Sequence, residues 1–184
     1  MTTFVAEPTG LGSVFVLRRK VFRDSRGFFE RLYAMDELTA LCGIDTPIRH
    51  INHSVTKGRG TTRGLHYQVE PDAETKIVTC ISGSVLDVAV DMRPDSGTYL
   101  QHHAVRLSGE SETSFVIPTG FAHGFQCLSD RAELLYFHTA AYAPASERRA
   151  HVTDPAIGID WPMPPSGLSD RDRDTPFLDP DRAP

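Results

Sequence analysis

Between residues 62 and 139 the chain is a nearly unbroken series of short segments rich in Val, Ile, Phe and Leu. No other feature limits the fold as much. Predicted strands cover 62–68, 75–81, 84–92, 102–107 and 113–117. Turn signals separate them at roughly the 8–12-residue spacing of all-β barrels and sandwiches. Ser82-Gly-Ser84 marks a hairpin turn and Arg93-Pro-Asp-Ser-Gly97 a longer one. Segments 125–128 and 133–139, joined by Ser129-Asp-Arg131, continue the sheet. Upstream, 14–21, 28–33 and 47–55 read as extended, with a turn at Arg23-Asp-Ser-Arg-Gly27. Met35-Asp-Glu-Leu-Thr-Ala-Leu-Cys42 predicts one short helix that stops at Gly43. Helical periodicity is otherwise nearly absent, which argues against wound α/β folds. The sequence shows no internal repeat and no nucleotide-phosphate loop. The expected fold class is all-β, a barrel or sandwich with a few short helices.

With 184 residues the chain suits one domain with a sizeable core. Its net charge of −5 argues against nucleic acid as the main partner, because phosphate binding needs a basic surface. A small anion held by a local cluster of Arg, Lys and His stays compatible with that charge. The three cysteines, Cys42, Cys80 and Cys127, are isolated and odd in number, so neither a disulfide framework nor a structural zinc site is indicated. A reduced, cytoplasmic compartment is the simplest expectation. The N-terminus lacks the pattern of a signal peptide, and no stretch approaches the ~18 apolar residues of a membrane span. Residues 163–184 are rich in Pro, Asp and Arg and read, by composition, as a poorly ordered tail.

Chemistry-bearing residues cluster in Arg63-Gly-Leu-His-Tyr-Gln68 and at Lys76, with a second group in Pro118-Thr-Gly-Phe-Ala-His123. A lone His66 in an apolar strand is more often a hydrogen-bonded core histidine than a catalyst, but here a cation, an amine and a second histidine accompany it. Strand alternation points Lys76 to the face of Val78 and Cys80, where an amine is costly unless it meets an anion. The bland alternative is a surface lysine on an edge strand. Asp87 and Asp91 share a face of the strongly apolar Val85-Leu-Asp-Val-Ala-Val-Asp91. Either that face is solvated, or Asp87 is interior and orients a histidine or pairs with Lys76 or Arg63. Tyr136 reads first as a core aromatic, Tyr142 as a structural or lid residue, and Asp172 as a tail charge.

The Gly-x-His pattern followed by Pro-x-Gly-x-x-His resembles the cupins, and the resemblance implies a cupin-type double-sheet β-barrel or jelly roll. A metal-binding cupin wants a second histidine two residues after the first. Gln68 stands there, with Glu70 and Asp72 nearby. A metal-dependent cupin using His66, His123 and Glu70 or Asp72 is the alternative reading, one imidazole short of the usual ligand set.

A closer resemblance runs through most of the chain: Asp24-Ser-Arg-Gly-Phe-Phe29, Asn52-His-Ser54, Arg63 to Gln68, Lys76-Ile-Val-Thr-Cys80, Gly83 to Arg93, Pro118 to Phe125, Glu133-Leu-Leu-Tyr136, Tyr142 to Glu147, Asp154 to Pro162 and Leu168-Ser-Asp-Arg-Asp172. Taken together these resemble the dTDP-4-dehydrorhamnose 3,5-epimerase family, which acts on nucleotide-linked 4-keto-6-deoxyhexoses. The resemblance implies a single cupin-like domain over 1–184: N-terminal strands and a dimer arm over about 1–60, the barrel core over 61–142, and a segment over 143–184 that returns to the site. It implies His66 as the base that removes the proton α to the C4 ketone, Asp172 as its dyad partner, Lys76 at the enolate oxygen and Tyr136 as the opposite proton donor. Arg63, His123, Asn52 and Arg26 would hold sugar and diphosphate, and Phe29 would meet the base. His50, Gln68 and Tyr142 are further candidate contacts. No cofactor and no metal are implied. The expected assembly is a homodimer that exchanges N-terminal strands, so that Arg26 serves the neighbour.

The chain departs from the family pattern at Arg31, where a Glu is usual and Glu30 comes one place early, and at His50, where a Gln is usual. It departs again in the loop 55–62, which is one residue longer than the family pattern, with Thr62 in place of an apolar residue. These positions lie on the nucleotide side as the resemblance places them. The nucleotide, and inversion at C3, C5 or both, stay open. A sugar-nucleotide-binding cupin without turnover is a third reading, disfavoured because a binding site needs no acid opposite a base.

Overall fold

The computed structural model describes residues 2–179. Thirteen strands and two short helices follow one another: β1 Phe4–Pro8, β2 Phe15–Arg19, β3 Val21–Asp24, β4 Gly27–Glu30, α1 Met35–Cys42, β5 His50–Lys57, β6 Thr62–Gln68, β7 Lys76–Ser82, β8 Ser84–Asp91, β9 His102–Ser108, β10 Thr113–Ile117, β11 Phe121–Cys127, β12 Arg131–His138, β13 Glu147–Arg149 and α2 Asp170–Arg173. A six-stranded sheet runs β1-β2-β10-β7-β12-β5, and a five-stranded sheet runs β13-β6-β11-β8-β9. Their pairings are antiparallel, and β3 and β4 form a separate ribbon. The two sheets face each other, which is the jelly-roll arrangement that the cupin resemblance implies.

Period-two alternation decides what each strand shows to which side. On β8, Val85 and Ala89 enter the cluster between the sheets, whereas Val88 and Val90 enter a second cluster outside. On β7, Val78 and Cys80 face in and Ile77 faces out. The core between the sheets is completed by Phe115, Phe125, Leu107 and Leu134, all essentially inaccessible. Each such side chain contributes about 1.5–3 kcal/mol relative to exposure.

The outer faces are covered from the two ends of the chain. Helix α1 lays Leu38 over Phe4, Leu17, Ile77 and Val116 on the six-stranded sheet. Gly43 ends it at φ 70°, a left-handed conformation with its N–H on the Thr39 carbonyl, as its sequence signal predicted. The C-terminal segment covers the five-stranded sheet with Val152, Ile157, Trp161, Leu168 and Leu178. The Gln126 side chain also grips the Met163 backbone, donating to its carbonyl at 2.8 Å and accepting its N–H at 3.1 Å. This corrects the expectation of a disordered tail over 163–179. Its few apolar residues are spaced to meet one sheet face, which composition does not reveal. Residues 180–184 of that expectation lie outside the described residues.

The predicted strand over 14–21 is divided into β2 and β3 around Lys20, and 121–127 is strand throughout. β1, β13 and α2 had no clear signal in the sequence. Among the described residues, no helix is long and apolar enough to cross a membrane.

Candidate active site

Toward one end of the space between the sheets the apolar filling gives way to a polar cavity of about 540 Å³, within the range of small-molecule sites. The five-stranded sheet supplies Arg63 and His66 from β6, His123 and Phe125 from β11, and Arg149 from β13. The six-stranded sheet supplies Asn52 and Ser54 from β5, Lys76 from β7, and Tyr136 and His138 from β12. Ser169, Arg171 and Asp172 close it from the C-terminal segment.

Arg63 and His66 reach the same cavity although simple alternation would send them to opposite faces. The register explains it. His123 pairs with His66 and Phe125 with Arg63, so three steps along β6 oppose two along β11. One extra residue in β6 restores the parity, as a β-bulge does. Glycine permits it: Gly64 has φ 127°, and a Cβ there would stand 2.5 Å from the Gly124 Cα. At Gly124 a Cβ would stand 2.8 Å from the Arg63 carbonyl. The two backbones therefore touch where Arg63 and His66 are aimed.

His66 Nε2 lies 2.6 Å from Asp172 Oδ1, across 106 residues of sequence. The imidazole is about one-third exposed and the carboxylate nearly buried, at 31% and 5%. The Ser169 side chain caps α2 by accepting the Asp172 N–H at 3.2 Å, which fixes the carboxylate at the helix start. Arg149 donates to the same Asp172 oxygen at 2.8 Å. Burial alone would raise the Asp172 carboxyl, but its bond to His66, the Ser169 contact and the charge of Arg149 outweigh that and hold it below the usual range. Asp172 thus stays ionised and takes one ring nitrogen, leaving the other for proton transfer.

Tyr136 stands on the facing sheet. Its hydroxyl is 3.1 Å from Ser54 Oγ, and its ring meets His123 edge-on with centroids 6.0 Å apart. Burial pushes the phenol well above its ordinary value, and the charge of Asp87 adds to this against the opposing effects of Ser54 and Arg63. A neutral phenol is therefore retained as a proton donor. Lys76 is buried and donates to the His66 carbonyl at 3.1 Å. Arg63 donates from Nε to Thr56 Oγ1 at 3.0 Å. An imidazole backed by carboxylate on one wall, a phenol on the opposite wall and a cation beside them can remove and return a proton on opposite sides of a bound molecule.

The sequence profile of the dTDP-4-dehydrorhamnose 3,5-epimerase family matches residues 8–180. The chain belongs to this family. It is 43% identical over 172 residues to the dTDP-4-dehydrorhamnose 3,5-epimerase of Salmonella typhimurium, covering 93% of each chain. It is 36% identical over 171 residues to the dTDP-4-dehydrorhamnose 3-epimerase of Streptomyces niveus, covering 93% of this chain and 82% of that one. Among solved structures, the Legionella pneumophila dTDP-6-deoxy-D-glucose-3,5-epimerase in complex with dTDP-4-keto-L-rhamnose superposes with a TM-score of 0.90 at 37% identity, covering 95% and 92% of the two chains. As a member of this epimerase family the chain is an isomerase of nucleotide sugars.

Seven of the expected site residues meet in the cavity of this epimerase: His66, Tyr136, Asp172, Lys76, Arg63, His123 and Asn52. Arg26 and Phe29 do not. They line a separate shallow depression on the β3–β4 ribbon, where Arg26 pairs with Asp24 at 2.6 Å and Phe29 is 66% exposed. His50 is exposed at the start of β5, opposite His138. Gln68 is buried outside the cavity, donating to the Asp72 and Ala141 carbonyls and accepting the Ala143 N–H. It holds the loop rather than the cavity wall. Tyr142 is exposed, with its hydroxyl 3.4 Å from Glu147. Asp87 is interior and orients a histidine, its Oδ1 lying 2.5 Å from His123 Nε2. Asp91 does not join it. It accepts from Arg93, Ser96 and Thr98 and ties down the following loop.

The ligand set of the metal-cupin alternative does not converge. Asp72 accepts from Ser146 at 2.6 Å, and both histidines face carboxylates. Among the described residues, no three His, Cys, Asp or Glu side chains are grouped as metal ligands.

Sequence reasoning missed Glu74, His138, Ser54 and Arg149. His138 had a usable signal, since it follows Tyr136 by two on one strand face. Arg149 had none: it reaches Asp172 because β13 pairs Arg149 with His66, a contact between remote segments.

Proposed function

We propose that this epimerase inverts C3, C5 or both centres of a nucleoside-diphosphate 4-keto-6-deoxyhexose, with thymidine as the first nucleotide to test. His66 removes the proton α to the C4 ketone, held in tautomer and orientation by Asp172. Lys76 neutralises the enolate oxygen. Tyr136 returns a proton from the other face. Arg63, His123 and Asn52 hold the sugar and its diphosphate. The observation that carries this reading is the placement of His66 and Tyr136 on opposite sheets across one cavity. A base and an acid on one wall would return the proton to the face it left.

The homodimer belongs to the same proposal. The β3–β4 ribbon projects Phe22, Phe28 and Phe29 into solvent at 44%, 62% and 66% exposure, and Arg26 lies with them. Such an apolar arm is unsuited to water, and exchange of this arm would bring Arg26 and Phe29 to the neighbour's cavity. The three unpaired cysteines support a reducing, cytoplasmic setting.

The test is proton NMR in D₂O over a panel of nucleotide 4-keto-6-deoxy sugars. Deuterium entering C3 or C5, with inverted product, is expected for one or more members. Stereochemistry and hydrogen unchanged across the panel would overturn the proposal.

A further inference from the structure

Behind Lys76 lies a third carboxylate, which the proposed reaction does not use. Glu74 is buried, with its side chain 8% exposed against 9% for Lys76. Its two oxygens do different work. Oε1 is 3.2 Å from the Lys76 ammonium, and Oε2 is 2.8 Å from His138 Nδ1. His138 is the direct cross-strand partner of Lys76. The backbone beside Glu74 is fixed to the end of β12: the Thr75 N–H donates to Thr139 Oγ1 at 2.8 Å, and the Thr139 N–H donates to the Thr75 carbonyl at 3.1 Å. Burial would raise the Glu74 carboxyl, but the hydrogen bond from His138 and the charge of Lys76 outweigh it and hold it low.

We propose that Glu74 is the positioning residue for Lys76, fixing the direction of its ammonium in the cavity while His138 fixes Glu74. An ammonium has three N–H groups in tetrahedral array. The His66 carbonyl takes one of them, and the Glu74 carboxylate holds the charge from 3.2 Å. With the nitrogen held from these two sides, its remaining N–H groups are left for the cavity that Lys76 lines. A flexible four-carbon side chain gains a defined donor in this way, and a donor aimed before the charge develops is what stabilises an enolate. The arrangement also ties oxyanion donor to base, since Lys76 bonds the backbone of His66 itself.

This inference rests on Lys76 serving the enolate oxygen, and the experiment separates the two. Steady-state epimerisation and solvent exchange are measured for the parent, Lys76→Met, Glu74→Gln and the double variant. Lys76→Met is expected to lower kcat by roughly 10²-fold or more. Glu74→Gln is expected to lower kcat about tenfold with KM within about twofold, because the amide keeps the shape but not the charge. In the Lys76→Met background Glu74→Gln is expected to change kcat less than about twofold, because the residue acts through the amine. If Lys76→Met keeps the parent kcat, the enolate reading fails. If Lys76→Met is impaired while Glu74→Gln keeps the parent kcat, or the two losses multiply in full, the positioning role is overturned and the enolate reading stands. Should Glu74→Gln not fold, Glu74→Asp keeps the charge and draws it back by one methylene. A fall in kcat at constant KM is again expected, and parent kcat in that variant overturns the proposal.

Discussion

Two imidazole–carboxylate pairs stand side by side in this barrel, on residues that are direct partners across β6 and β11. His66 with Asp172 and His123 with Asp87 are joined by contacts of nearly equal length, 2.6 and 2.5 Å. Their surroundings differ. The His123 pair is closed off, with side chains 7% and 0% exposed, and its carboxylate comes from the adjacent strand, two residues along from Ala89, the register partner of His123. The His66 imidazole is 31% exposed, and its carboxylate arrives from a helix of the C-terminal segment. A pair that exchanges protons with a ligand needs one nitrogen open to the cavity. A pair that contacts a ligand without exchanging a proton does not. The same two residue types are therefore suited to different work, according to exposure and to the element that brings the carboxylate.

The largest expected effect divides the pairs by reaction. His66→Ala is expected to lower solvent exchange into substrate by roughly 10²–10⁴-fold, the span of a general base, with circular dichroism unchanged. His123→Ala is expected to act mainly on KM. Equal losses of exchange from both variants would erase the distinction.

Next, stability should divide them the other way. Asp87→Ala leaves the buried His123 without its partner and is expected to lower unfolding free energy by about 1–3 kcal/mol, read by urea denaturation. Asp172→Asn keeps the shape at a more open site and is expected to lower kcat while changing the urea midpoint less. A larger midpoint shift from Asp172→Asn would contradict the comparison.

How much of this contrast was legible in the sequence follows from where each partner comes from. Asp87 could be turned inward from alternation within one strand, and its partner was confined to a few interior cations. Strand order along 62–139 was legible for the same reason, because the period-two pattern is local. Asp172 was not: nothing near it in sequence meets His66, and only family resemblance singled it out. The bulge at Gly64 that aims Arg63 and His66 together was hidden too, since a glycine in a strand does not say which residue becomes unpaired. Glu74 and His138 were missed because their meeting depends on the register of β7 against β12.

A smaller effect concerns pH. The Asp172 carboxyl is held below its unfolded value of about 3.9. A depressed carboxylate contributes stability that is whole above that value and is lost as pH falls through the folded one. The stability deficit of Asp172→Asn against the parent is therefore expected to be constant near neutrality and to shrink below about pH 4. A deficit that grows in acid would contradict the ionised dyad.

The central claim is that proton removal and proton return belong to opposite sheets, and Tyr136→Phe tests it most directly. With dTDP-4-keto-6-deoxyglucose in D₂O, proton NMR separates exchange from inversion at each carbon. The variant is expected to retain deuterium exchange through His66 while inversion falls by about 10²-fold or more. Exchange and inversion that fall together, or inversion that persists at the parent rate, would contradict the account.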